Sequence, residues 1–150
     1  RGGELFGLAF AAPLILEEGT VRERMLQADP AVRRLGTAFQ IVDDLTDFEF
    51  DIGRRSHNLL VSRIHHEGRP DEKKKLDSLL SAGGVDEEGL VENLFADSAR
   101  WVLDVARDEA RSAFESLSAL GYWFPPRLAD EVVHAIVGLD GVTRMESLSK

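Results

Sequence analysis

Apolar residues recur every three or four positions along most of this chain, and no stretch of any length alternates apolar and polar residues as a strand does. A period near 3.6 predicts helices that each bury one face. The longest pattern comprises Leu90, Val91, Leu94, Val102, Val105, Ala106, Ala113, Leu117 and Leu120. We therefore predict an all-α fold, a helical bundle in which residues 1–150 form a single unit.

Proline and glycine set several predicted helix boundaries. Asp29 is expected to cap a helix whose first residue is Pro30, and Gly53 is expected to lie in a loop. The long apolar pattern is read as one helix that ends at Gly121. A last helix is predicted through Leu128, Val132, Ile136 and Leu139.

Composition argues against several classes of protein. The chain has 150 residues, of which 43% are hydrophobic, and this is enough for one globular core. It has no cysteine, which excludes disulfides, thiolate zinc sites and a cysteine nucleophile, and which fits a cytoplasmic protein. The net charge of −9 argues against nucleic acid or an anionic membrane surface as the main partner. No apolar run reaches the length of a membrane span.

The stretch FQIVDDLTDFEFD places like charges on one predicted helical face. Its polar positions follow the spacing i, i+3, i+4 and i+7, occupied by Gln40, Asp43, Asp44 and Asp47, and Asp51 joins them if the helix continues. Like charges at this spacing cost about 0.2–0.5 kcal/mol per pair. Bound Mg²⁺, which prefers carboxylate oxygens, would offset that cost. A solvated acidic face is the alternative interpretation.

The same stretch resembles the second aspartate-rich motif of the trans-isoprenyl diphosphate synthases, the polyprenyl synthetase family, which reads FQ-x-x-DD-x-x-D. Its fixed positions are matched by Phe39, Gln40, Asp43, Asp44 and Asp47. RGGELFGLAFAAPLILEEG is similar to the preceding helix of the family, and LSALGYWFPPRLADEVV to its C-terminal helices. The resemblance implies the C-terminal part of the isoprenoid synthase fold.

In that family, Mg²⁺ ions held by two aspartate-rich helices bind an allylic diphosphate and stabilise the charge on the leaving group. The double bond of isopentenyl diphosphate attacks the resulting allylic carbocation, and loss of a proton ends the step. The resemblance therefore implies an Mg²⁺-dependent prenyltransferase. Its catalytic metal ligands would be Asp43, Asp44 and Asp47, with Asp43 the best candidate for direct coordination.

The resemblance also implies residues that bind the two diphosphate substrates. Gln40 would hydrogen-bond a diphosphate oxygen, and Phe39 would pack near isopentenyl diphosphate. Arg1 stands where the family has a diphosphate-binding lysine. Arg54 or Arg55 would replace the lysines of the loop that closes over the diphosphate. The resemblance further implies a homodimer.

The 150 residues of the chain contain one aspartate-rich motif. The resemblance implies that it is the second of two, with the first further towards the N-terminus. We therefore expect a segment of a longer synthase that does not catalyse alone. A non-catalytic synthase-like regulatory subunit is one alternative. A terpene cyclase-like lyase is another, and it gains from the spacing of Asn58 and Ser62. His57, His65 and His66 are expected in surface or packing roles.

Overall fold

A computed structural model describes residues 2–83 and 89–125, together with residues 127–128, 130–132 and 134–135. Over these residues the chain is helical and contains no strand, which confirms the all-α prediction. The helices with defined bounds are α1 (Gly2–Leu16), α2 (Gly19–Thr46), α3 (Phe48–Arg54), α4 (Leu59–Glu67), α5 (Pro70–Ala82), α6 (Leu90–Leu94) and α7 (Ala96–Ala119). None of these helices is long and apolar enough to cross a membrane.

The chain divides into two compact units. The first comprises Arg1–Gln40 and Val105–Ile136, and the second comprises Ile41–Asp104 and Val137–Lys150. Helices α2 and α7 each contribute residues to both units. Each unit is helical where the structure describes it, and the expectation that residues 1–150 form a single unit stays a prediction.

Small side chains form the centre of the first unit. The buried cluster consists of Ala28, Ala31, Ala113 and Leu117, and the side chains packed against it are Leu35, Phe114, Leu120, Tyr122 and Phe124. The rings of Phe114 and Phe124 lie 5.0 Å apart in an edge-to-face arrangement. Alanines at the contact let two helices approach closely, because little side-chain volume separates their backbones.

Helix α2 continues through Pro30, so the predicted helix start at this residue is wrong. Proline lacks the N–H of a helix interior and usually breaks or kinks a helix. Here its neighbours Ala28 and Ala31 are each only 2% exposed, because both belong to the buried cluster. One turn further on, Arg33 donates to Asp29 at 2.7 Å. Packing on both sides of the proline therefore overrides its local preference.

The predicted long helix is interrupted at Phe95, which separates α6 from α7. Phe95 is fully buried, and its ring lies 5.4 Å from that of Phe48. The apolar period alone could not show this break, because the residues on both sides of it keep the same spacing. Gly53 likewise lies inside α3, and that helix ends one residue later than the glycine, at Arg54.

The described residues of the predicted last helix are helical at 128, 130–132 and 134–135. Leu128 donates its backbone N–H to the carbonyl oxygen of Pro125 at 3.0 Å, which begins this segment. The predicted positions Ile136 and Leu139 lie outside the described residues.

Candidate functional site

The aspartates of the sequence motif lie where α2 ends and α3 begins. Asp47 is the residue between the two helices, with φ −92° and ψ 10°. Helical hydrogen bonds nevertheless continue across it: Asp47 donates its N–H to the Asp43 carbonyl at 2.9 Å, and Asp51 donates to the Asp47 carbonyl at 2.8 Å. The backbone therefore carries Asp43, Asp44, Asp47 and Asp51, which we call the acidic stripe, through a bend without losing its helical bonding.

The apolar residues of this segment face the core. Ile41, Val42 and Leu45 are 7%, 1% and 0% exposed, respectively. Asp43 and Asp47 are exposed, whereas Asp44 and Asp51 are half-buried. The four carboxylates thus fall into two pairs, one open to solvent and one partly enclosed.

Asp44 contacts the start of α4. One of its carboxylate oxygens accepts the backbone N–H of Leu59, the first residue of that helix, at 2.7 Å. The first N–H groups of a helix have no partner within the helix, and a carboxylate there also interacts favourably with the helix dipole. Asp44 therefore positions α4 in addition to any role that it has toward a cation.

Asn58 connects the acidic stripe to the same helix and is only 3% exposed. Its side-chain oxygen accepts the N–H groups of Leu60 and Val61, at 3.0 and 3.3 Å. Its side-chain nitrogen donates to the backbone carbonyl of Asp44, and to a carboxylate oxygen of Asp51 at 2.9 Å. Asn58 thereby satisfies the start of α4 and fixes the position of Asp51.

The surroundings of Asp43 oppose the ionisation of its carboxyl group. Although Asp43 is exposed, partial desolvation by the protein around it raises the pKa of its carboxyl above the ordinary value, and the neighbouring charges of Asp47, Asp44 and Asp51 raise it further. Each contribution opposes the ionised form. A cation bound beside Asp43 would act in the opposite direction and favour the carboxylate.

The donor chemistry of the acidic stripe fits Mg²⁺. This ion is commonly held by one or two carboxylates together with substrate phosphates and water, and carboxylate oxygens are its preferred ligands. Asp43 and Asp47 are exposed carboxylates four positions apart, hence on one side of the backbone. Within the part of the chain that the structure describes, no group of three or more histidine, aspartate or glutamate side chains is arranged to hold a metal ion.

The residues predicted to bind substrate divide between the two units. Phe39 and Gln40 are half-buried in the first unit, and the ring of Phe39 lies 5.7 Å from that of Phe6. Arg54 belongs to the second unit with the acidic stripe, and its guanidinium lies 4.1 Å from the centre of the Phe50 ring. Arg1 lies outside the described residues.

A cleft beside Asn58 was missed by sequence analysis. Its volume is about 280 Å³, and it is lined by Arg55, Ser56, His57, Asn58, Val61, Ser62, His65 and His66. We call it the α4 cleft. Residues 52–66 contain three arginines and three histidines but no aspartate or glutamate, and of these arginines only Arg55 lines the cleft.

No family model, no curated protein and no solved structure matches this chain.

Proposed function

We propose that the chain is part of an Mg²⁺-dependent prenyltransferase of the isoprenyl diphosphate synthase type, with the isoprenoid synthase fold. Its substrates would be an allylic diphosphate and isopentenyl diphosphate. The observation that carries the proposal is the acidic stripe, whose charges oppose ionisation of Asp43. A cation-diphosphate complex would relieve this repulsion, and the matched sequence motif indicates which complex that is.

In this proposal, Asp43 and Asp47 hold the magnesium. Both are exposed, so hydrated cations and phosphate oxygens can reach them. Bound Mg²⁺ supplies Lewis-acid stabilisation of the leaving diphosphate. Asp44 supports the same site, and its bond to the Leu59 N–H keeps α4 in place beside it.

The sequence resemblance implies four further substrate-binding residues. Gln40 donates to a diphosphate oxygen and Phe39 packs near isopentenyl diphosphate, while Arg1 and Arg54 pair with phosphate. The reaction breaks the allylic carbon–oxygen bond, forms a carbon–carbon bond to isopentenyl diphosphate and releases a proton. We propose that a first aspartate-rich motif outside these 150 residues completes the magnesium site in a cytoplasmic homodimer. The segment alone is then inactive.

A nuclear magnetic resonance titration tests the metal site in this chain. Inorganic pyrophosphate is added with Mg²⁺ or with EDTA, and amide shifts at Asp43 and Asp47 are followed. We expect weak binding that needs Mg²⁺ and is lost in Asp43→Asn and Asp47→Asn. Glu115→Gln, an exposed change on α7 in the first unit, is the matched control and should leave binding intact. Equal behaviour of all three variants would contradict the metal role.

An enzyme assay tests the reaction. A protein that contains this chain and a first aspartate-rich motif is incubated with Mg²⁺, isopentenyl diphosphate and an allylic diphosphate. We expect elongated prenyl diphosphates, and we expect Asp43→Asn to lower turnover by about 100-fold or more, because charge stabilisation of a leaving group is a large catalytic contribution. Cyclised hydrocarbons in place of elongated products would favour the lyase alternative.

The regulatory alternative has one observation of its own. Helix α1 exposes large apolar side chains: Leu5 and Leu8 are each 65% exposed, and Ile15 and Leu16 are 83% and 81% exposed. Exposed apolar residues of this kind mark interfaces. Co-purification with a complete synthase, combined with no prenyl transfer by any protein that contains this chain, would favour a non-catalytic subunit.

A further inference from the structure

We propose that Asn58 is a positioning residue of the magnesium site, and that it acts by holding the carboxylate of Asp51 beside the bound cation. The proposal rests on the proposed function and deepens it, because it adds Asp51 to the site and identifies the side chain that holds it there. Asn58 does not ligate the metal itself. It is only 3% exposed, and both its side-chain oxygen and its side-chain nitrogen are engaged in hydrogen bonds.

The hydrogen bonds of Asn58 use the full capacity of its amide group, which has two N–H donors and an oxygen with two lone pairs. Its nitrogen donates to the backbone carbonyl of Asp44, and to a carboxylate oxygen of Asp51 at 2.9 Å. Its oxygen accepts the N–H groups of Leu60 and Val61, at 3.0 and 3.3 Å. A buried polar network in which every bond is made is rigid. Asp51 is therefore held in a fixed position relative to Asp44 and to the start of α4.

The cap of α4 does not by itself require an asparagine. Serine, threonine and aspartate are also favoured as caps at the start of a helix. An ionised aspartate has no hydrogen-bond donor, however, and a hydroxyl group has only one. Among these side chains, only the amide can accept the N–H groups of α4 while it donates to both Asp44 and Asp51. The residue type at position 58 therefore fits a second task, which is to hold Asp51.

The charge of Asp51 reaches the proposed metal ligands. Asp51 is half-buried and lies eight positions after Asp43, beyond the bend at Asp47. Partial desolvation and the charges of neighbouring aspartates raise the pKa of the Asp43 carboxyl, and Asp51 is one of those aspartates. A cation beside Asp43 would be attracted by the same charge. Because salt screens a partly buried charge less than an exposed one, Asp51 can strengthen cation binding while it is held in place.

The bond to Asn58 uses one of the two carboxylate oxygens of Asp51. The other oxygen can accept a hydrogen bond from a water molecule on Mg²⁺, an ion that usually keeps several of its waters when a protein binds it. Asp51 would then act on the metal through water and through its charge, without coordinating it. Removing an outer partner of this kind commonly weakens metal binding by about 10–100-fold.

A magnesium titration in the presence of inorganic pyrophosphate tests the proposal. Amide shifts at Asp43 and Asp47 give the half-saturating Mg²⁺ concentration of each variant. Asn58→Ser keeps an oxygen that can cap α4 but lacks the two amide donors, and we expect it to raise this concentration about tenfold. Asp51→Asn keeps the size of the side chain and removes its charge, and we expect a loss of similar size. Asn58→Thr replaces Asn58→Ser if circular dichroism shows that Asn58→Ser has lost helix.

The double variant Asn58→Ser/Asp51→Asn separates positioning from a merely structural role. If Asn58 acts through Asp51, the double variant binds magnesium no more weakly than the weaker single variant. Additive losses, about 100-fold in total, would overturn the proposal, since the two residues would then act independently. His65→Gly weakens α4 at an exposed position and should leave the affinity within about twofold. An equal tenfold loss in His65→Gly would overturn the proposal, because any weakening of α4 would then suffice.

Asp43→Asn separates failure of this proposal from failure of the proposed function. Binding that is lost in Asp43→Asn but stays within about twofold in Asn58→Ser and Asp51→Asn keeps the magnesium site and overturns the role of Asn58. The absence of Mg²⁺-dependent binding by the parent chain, or equal binding by Asp43→Asn, overturns the magnesium site and the role of Asn58 with it. Non-additive losses in Asn58→Ser and Asp51→Asn support both.

Discussion

A carboxylate oxygen of Asp44 accepts the backbone N–H of Leu59 at 2.7 Å, across fifteen positions of the chain. This bond gives one member of the aspartate motif a structural task at the start of α4. Asp47, three positions later, is exposed and makes no side-chain capping bond at the start of α3. Asp44 and Asp47 are equivalent in the sequence motif, but Asp44 bonds the start of α4 whereas the Asp47 side chain does not cap α3.

Asp44→Ala is expected to destabilise the chain, whereas Asp47→Ala is not. Loss of a helix cap costs about 0.5–2 kcal/mol, and the Leu59 N–H would be left without its carboxylate partner. Asp47→Ala removes a like charge from the acidic stripe and a poor helix former, so we expect no loss or a slight gain. Urea unfolding of both variants measures the difference. Equal destabilisation would show that the Asp44–Leu59 bond contributes little.

Asp43→Asn is expected to stabilise the chain near neutral pH. The raised pKa of Asp43 means that the folded state holds this proton more tightly than the unfolded state does. The contribution of Asp43 to stability therefore declines as pH rises through the interval between the ordinary aspartate pKa and the raised one. The substitution removes this decline. We expect a gain of about 0.2–0.5 kcal/mol from relief of the repulsion with Asp47 alone.

The dependence of this stability gain on pH tests whether its cause is electrostatic. Thermal midpoints of the variant and the parent chain are compared from about pH 7 down to about pH 4, close to the ordinary aspartate value. The gain should be largest at neutral pH and should shrink as Asp43 becomes protonated. Asp108→Asn, an exposed change on α7 with Arg111 one turn away, should bring no such gain. A gain for Asp43→Asn that is independent of pH would contradict the electrostatic cause.

Helical content could be predicted from the sequence because apolar spacing is a local property. The residues at which a helix breaks or continues could not be predicted, because contacts with residues distant in the sequence decide them. Pro30 stays inside α2 because Ala28 and Ala31, on either side of it, are buried in a cluster with Ala113 and Leu117. Phe95 ends α6 while its ring packs on Phe48, which lies 47 positions earlier in the chain. Neither partner is apparent from the residues next to the break.

The acidic stripe could also be predicted, since a helix places i, i+4 and i+7 on one side. The different structural roles of its aspartates could not be predicted, because they depend on the position of Leu59 relative to Asp44. The same holds for Asn58, whose spacing with Ser62 suggested a cyclase-like metal motif. Its side chain is committed to the start of α4 and to Asp51, which accounts for an asparagine at this position without a metal.

Glu72→Ala is expected to cost about 3 kcal/mol or more. Glu72 is 1% exposed, and its carboxylate accepts the Ser98 hydroxyl at 2.9 Å and backbone N–H groups of Ser98 and Arg69 at 3.3 and 3.1 Å. Hydrogen bonds to a charged group contribute about 1.5–3 kcal/mol each, and unsatisfied buried donors add to the cost. Asp71→Ala, exposed and adjacent, should cost less than about 1 kcal/mol. Urea unfolding that gives the two variants equal stability would contradict a structural role for Glu72.

Phe48→Ala is expected to destabilise the second unit by about 3–5 kcal/mol, the usual cost of removing a buried aromatic ring. Phe48 is fully buried and packs edge-to-face on Phe95. Phe50, two positions later on α3, is 57% exposed and stacks under Arg54, so Phe50→Ala should cost about 1 kcal/mol or less. Equilibrium unfolding compares the two variants, and Phe48→Leu provides a milder change if Phe48→Ala does not fold. Similar losses for Phe48→Ala and Phe50→Ala would mean that α3 does not present Phe48 to a core.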